Sequence, residues 1–199
     1  MANVAIIYYS ATGTNHATAQ AVGKGATAAG ATVRVRPVAE TLPSEVVAKN
    51  PKWQAYVEST KNDTKASLED LEWADAVVFG TPTRFGNIAA QFKTFIDSAG
   101  GLWFQGKLAN KVYAGFTSAQ NSHGGQESTL LALYNSIYHF GGIIATPGYT
   151  DPIVFGSGGN PYGVSVTTGP NGDGPSTADL AHAEYLGKRV AELAKKLRA

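Results

Sequence analysis

Val4-Ala5-Ile6-Ile7-Tyr8-Tyr9 runs without a polar interruption into Ser10-Ala11-Thr12-Gly13-Thr14-Asn15, which carries three hydroxyls, an amide and a glycine. An apolar run of this length predicts a strand buried on both faces of a parallel sheet. The small polar residues that follow predict a tight turn into a helix. Working outward, the runs at 76–79, 112–116 and 143–145 repeat the apolar pattern. The run at 32–38 differs: Val33-Arg34-Val35-Arg36 alternates and closes on Pro37, as an edge strand does.

Helical stripes lie between these runs. Ile88, Phe92, Phe95, Ile96 and Ala99 share one face, with Asn87 placed to cap it. Leu130, Leu131, Tyr134, Ile137 and Tyr138 make a second stripe. A third begins near Thr177 and carries Leu180, Ala183, Leu186, Val190, Leu193 and Leu197, opened by Ser176 and Asp179 at capping-box spacing. Strand and helix alternate, so the fold class is α/β, a doubly wound five-stranded parallel sheet with helices on both faces. With the second strand at an edge, the flavodoxin-like order 2-1-3-4-5 is expected. The chain of 199 residues reads as a single domain, 1–199, with insertions at about 39–65 and 146–175. Connections that long are usually functional or disordered. Trp53 and Tyr56 in the first insertion stand at helical spacing.

Composition excludes several classes. Sixteen basic and fifteen acidic side chains give a net charge of +1, which argues against nucleic-acid binding and against an acidic electron carrier. Charged residues are only 16% of the chain, against about 25% in ordinary soluble domains, and that shortage suggests subunit contacts. Cysteine is absent, which removes disulfides, thiolate nucleophiles and cysteine-ligated metals. His16, His123, His139 and His182 have no metal-site spacing, so no metal is expected. No run approaches a membrane span and no signal peptide is visible, so a cytoplasmic protein is expected.

In such a sheet the ligand sits at the carboxyl ends of the strands, where strand order reverses. The loops after the first, third and fourth strands are therefore the candidates. The first, Ser10 to Asn15, offers hydroxyls and helix N-terminal N–H groups as a neutral phosphate cradle; an ordinary N-cap turn has the same composition. Neither the Walker pattern nor the dinucleotide glycine pattern is present. In the second, Gly80-Thr81-Pro82-Thr83-Arg84-Phe85-Gly86-Asn87, an arginine and an aromatic ring suit a flat ring that gains electrons. A surface cation–aromatic contact would look the same. The third, Ser118-Ala119-Gln120-Asn121-Ser122-His123-Gly124-Gly125, could read the polar edge of a ring system. Trp103 and His139, taken alone, read as packing residues.

Taken together with Gly101-Leu102-Trp103, Gly124-Gly125-Gln126-Glu127 and Gly159-Asn160-Pro161-Tyr162-Gly163, these loops resemble the WrbA family of flavodoxin-like NAD(P)H:quinone oxidoreductases. The match is collinear over essentially the whole chain, and the Pro82-Thr83-Arg84-Phe85-Gly86-Asn87 and Pro161-Tyr162-Gly163 elements are its specific parts. The resemblance implies FMN as cofactor, NADH or NADPH as co-substrate and a quinone as electron acceptor. It implies that Ser10, Ala11, Thr12, Gly13, Thr14 and Asn15 hold the FMN phosphate. Thr83, Arg84 and Phe85 would contact the isoalloxazine, and Ser118, Ala119, Gln120, Asn121 and Gly124 would line its other polar edge. His139 is implied to reach the flavin from a neighbouring subunit, and Trp103 to roof the substrate space. Thr12 stands where some relatives place a tyrosine toward the nicotinamide. A homotetramer is implied.

No catalytic side chain is expected, because the flavin carries the redox chemistry. The alternative reading is a flavodoxin-type one-electron carrier that does not oxidise NAD(P)H itself. A flavin-free receiver domain is disfavoured, because no aspartate or glutamate precedes Glu40.

Overall fold

The computed structural model describes residues 1–198. Strands β1 (Asn3–Tyr8), β2 (Thr32–Pro37), β3 (Ala76–Pro82), β4 (Val112–Ala119) and β5 (Ile143–Ile144) form a parallel sheet in the order β2-β1-β3-β4-β5, as expected. A sixth strand, β6 (Val164–Thr167), is the main departure from the sequence reading. β5 pairs only with Val112 and Tyr113, while β6 pairs with the second half of β4, from Phe116 to Ala119. The fifth sheet position is thus filled by two short strands, with residues 145–163 looping out between them. Part of the 146–175 segment is sheet rather than loop.

The pleat sends alternate residues of β1 to opposite faces. Val4, Ile6 and Tyr8 pack with α1 (Thr14–Ala28) and α9 (Thr177–Leu197). Ala5, Ile7 and Tyr9 pack with α5 (Ala90–Ser98) and α7 (Gln126–Phe140). Both faces of β1, β3 and β4 are buried, which explains their unbroken apolar runs. β2 lies at the edge, and α4 (Leu68–Trp73) supplies partners for the first of the arginines that marked it. Arg34 reaches Asp70 at 3.0 Å and lies over the Trp73 ring, both residues on α4.

The capping box at Ser176 and Asp179 is formed in both directions. The buried stripe of α9 is richer in small residues than the leucine pattern suggested, because α9 crosses α1 at close range. A Cβ on Gly187 would lie 1.9 Å from the Val22 carbonyl oxygen, and one on Gly25 would lie 1.8 Å from that of Glu184. Helix α5 starts at Ala90 with Ala89 at its N-cap, so Asn87 does not cap it. Asn87 closes a turn with Arg84 instead.

Candidate active site

The carboxyl ends of β1, β3 and β4 open into a cleft of about 540 Å³, within the range of small-ligand sites. Its floor is the 10–15 loop. Tyr9 N–H donates to the Gly80 carbonyl at 2.8 Å, which fixes where β1 ends. Gly13 then takes φ +96°, a left-handed value that favours glycine, and its N–H donates to Ser10 Oγ at 3.0 Å. No side chain caps α1. The ordinary N-cap reading therefore fails here, and the helix offers its first N–H groups to the cleft. Asn15 is buried: its Nδ2 donates to the Tyr9 carbonyl at 3.1 Å while its Oδ1 has no partner.

The second loop is a two-residue hairpin. Arg84 and Asn87 exchange backbone hydrogen bonds of 2.8 and 3.0 Å, with Phe85 and Gly86 between them at φ +54° and +74°. Two successive positive φ values make a type I′ turn, which prefers Asn-Gly. Phe85 is strained there and fully exposed. Phe85→Asn is expected to raise the folding stability of the isolated chain by about 1 kcal/mol, measured by urea denaturation. A variant less stable than wild type would show that the Phe85 ring packs in solution. Thr83 is tied down: its N–H donates to the Ser118 carbonyl and its Oγ1 to that of Gly125, with Thr129 Oγ1 also in contact. Its hydroxyl is thus occupied in holding two loops together. Arg84 has no carboxylate partner among the described residues.

The third loop starts later than expected, because β4 continues through Ser118 and Ala119. Gly124 is pressed against its own loop: a Cβ there would lie 2.6 Å from the Ala119 Cβ and 2.9 Å from the Asn121 oxygen. Behind it Gln126 donates to the Asn121 carbonyl at 2.8 Å, and its Oε1 is buried without a partner.

Both insertions reach the cleft. In the first, helix α2 (Ser44–Val47) precedes α3 (Pro51–Ser59), whose first turn is capped by Asn50. Glu40 anchors this insertion by accepting from Tyr9 Oη at 2.6 Å, Trp53 Nε1 at 2.9 Å and Gln91 Nε2 at 2.8 Å, and from the N–H groups of Thr41 and Leu42. Burial pulls the Glu40 carboxyl upward, but these donors outweigh it and hold its pKa below the ordinary value. The second insertion is sewn to the third loop by Thr168 N–H to the Ala119 carbonyl and Gly169 N–H to that of Gln120. Lys52 Nζ joins the two insertions through the Asn171 carbonyl at 2.6 Å.

Ser10, Ala11, Thr12, Thr14, Asn15, Thr83, Arg84, Ser118, Ala119, Gln120, Asn121 and Gly124 all line the cleft. Gly13 shapes its floor, and Phe85 is fully exposed and outside the cleft lining. Trp103 and His139 lie elsewhere, beside a second cavity of about 310 Å³, with Trp103 Nε1 donating to the His139 carbonyl at 2.8 Å. Gln126 and His139 stand near opposite ends of α7, roughly 20 Å apart along the axis. Sequence reasoning missed Asn50, Lys52, Thr168 and Asn171 on the outer wall, and Glu40 behind it. The only signal for them was the length of the two insertions.

The family model for NADPH-dependent FMN reductase matches residues 2–150. The chain belongs to this family. A protein of Deinococcus radiodurans called NAD(P)H dehydrogenase (quinone) is 48% identical to this FMN reductase family member, over 98% of this chain and 96% of its own. A protein of Azorhizobium caulinodans with the same description is 45% identical over 99% of both. Among solved structures, a WrbA-like flavodoxin from Agrobacterium tumefaciens superposes with a TM-score of 0.70 at 26% identity, covering 98% of this chain and 99% of that one. An archaeal flavodoxin, 19% identical with a TM-score of 0.62, shares the fold.

The residues of this family member fit FMN. The uncapped α1 terminus suits a phosphate. The unpartnered Asn15 oxygen in the wall calls for a ligand hydroxyl or N–H. The cleft lining holds two cations, Lys52 and Arg84, and no carboxylate.

Proposed function

We infer that this protein is an FMN-dependent NAD(P)H:quinone oxidoreductase, which converts NAD(P)H, a proton and a quinone into NAD(P)⁺ and the hydroquinone. The observation that carries this reading is the carboxylate-free cleft floored by an uncapped helix N-terminus at the ends of β1, β3 and β4. The family match and the quinone dehydrogenase relatives support it. When bound, FMN supplies the chemistry of accepting a hydride and releasing two electrons. The chain's own residues bind and orient. Ser10 to Asn15 hold the phosphate end, and Asn15 Oδ1 accepts a ligand hydroxyl. Arg84, unpaired, offsets negative charge that grows on the ring. Backbone groups of 118–124 meet the ring's polar edge.

Nicotinamide and quinone use the same exposed face in turn, so ping-pong kinetics are expected. Double-reciprocal plots against NADH at several benzoquinone concentrations should give parallel lines. Intersecting lines would contradict alternate use of one space.

Trp103 and His139 complete the site from a second copy in this reading, because α7 holds His139, and the Trp103 indole bonded to its carbonyl, far from their own chain's cleft. Trp103, Phe104 and Tyr138 are exposed apolar residues near that second cavity. We propose a homotetramer built partly on this surface. Sedimentation velocity should give the mass of four chains, with Trp103→Asp dissociating the assembly; a monomer that holds FMN as tightly would contradict it. No helix among the described residues is long and apolar enough to cross a membrane. The proposed compartment is the cytoplasm, where NAD(P)H is available.

A further inference from the structure

Lys52 stands where its own helix disfavours it. It occupies the first turn of α3, at the positive end of that helix's dipole, where an ammonium is repelled. No carboxylate compensates it among the described residues. Yet the side chain is held, with Nζ 2.6 Å from the Asn171 carbonyl and 3.6 Å from where a Cβ on Gly172 would stand. Tyr56, four residues on and therefore on the same face of α3, packs beside Gly13 at the floor of the cleft, where a Cβ on Gly13 would lie 3.6 Å from the Tyr56 ring. One helical turn back, Lys52 forms part of the same cleft lining as the cradle residues. Arg84 enters from the separate loop after β3. The cradle itself, Ser10 to Asn15, carries no charged side chain.

We propose that Lys52 is an electrostatic latch over the phosphate end of the ligand. Its ammonium supplies the counter-charge that the cradle lacks, and its bond to the Asn171 carbonyl positions that charge. The proposal rests on the FMN reading and makes the site selective for phosphorylated over unphosphorylated flavin. An uncharged side chain of similar length would keep the stem and lose the latch.

The test is equilibrium binding of FMN and of riboflavin to the flavin-free protein, at several salt concentrations, for wild type, Lys52→Met and Lys52→Arg. Circular dichroism confirms that each variant is folded. Lys52→Met should weaken FMN binding roughly tenfold, the effect of one charge-assisted hydrogen bond, and leave riboflavin unchanged. It should also flatten the salt dependence of FMN binding, and Lys52→Arg should restore most of both. A wild type that prefers FMN over riboflavin, with Lys52→Met indistinguishable from it, would overturn the latch alone. So would an equal loss for both flavins, which would make Lys52 a structural tie of the mouth. A wild type that binds neither flavin would overturn the FMN reading as well.

Discussion

Glu40→Ala is expected to lower folding stability by about 3 kcal/mol, because it strands the hydroxyl of buried Tyr9, the amide of buried Gln91 and the indole N–H of Trp53 together. For a chain of this size that corresponds to a fall in melting temperature of about 10 °C, read by circular dichroism. Flavin affinity should fall with it, since Glu40 joins the end of β1 to the insertion that carries Lys52. Glu40→Gln keeps one acceptor oxygen and should lose roughly half as much. The pH dependence has a defined sign. The folded carboxyl titrates below its ordinary value of 4.5, so its contribution is fully present above that value and is lost as pH falls through the lower, folded one. Glu40→Gln should lack this component of acid destabilisation. A melting temperature within about 2 °C of wild type for Glu40→Ala would show that the five-donor arrangement is not formed in solution.

Thr12→Glu is expected to weaken FMN binding severely while sparing the fold. Thr12 is exposed and lines a cleft that contains no carboxylate. A like charge within about 6 Å of the phosphate, at an effective dielectric constant near 20, costs about 3 kcal/mol, or roughly a hundredfold in affinity. Flavin fluorescence titration measures the loss directly. Thr12→Gln, neutral and of the same size, should bind nearly as wild type does. If Thr12→Glu kept wild-type affinity, the phosphate would lie elsewhere in the cleft or FMN would not be the ligand.

The parallel sheet was legible because burial on both faces leaves long apolar runs in β1, β3 and β4, and because Arg34 and Arg36 marked β2 as an edge. The three loops were legible for a related reason. Chain that must approach a ligand closely at a strand end uses glycine, hydroxyl and amide residues in place of bulk. β6 was hidden because Val164-Ser165-Val166-Thr167 is a short alternating stretch set among glycines and prolines, and its partner lies far back in sequence. The role of Asn87 was misread because an N-cap residue and the last residue of a type I′ turn look alike locally. Only the positive φ values at Phe85 and Gly86 separate them. The outer wall had no local signature at all: Lys52 and Asn171 meet from 119 residues apart. His139, which the family resemblance implies to reach the flavin from a neighbouring subunit, lies away from its own chain's cleft.

The central claim is that FMN in this cleft is reduced by NAD(P)H and reoxidised by a quinone. The most direct measurement adds NADH, then NADPH, to the FMN-reconstituted protein without oxygen and follows the flavin's visible absorbance. The account predicts rapid bleaching by at least one of the two, with the colour restored on adding benzoquinone. Intact FMN binding without bleaching by either would contradict it and mark the protein as an electron carrier that depends on a separate reductase.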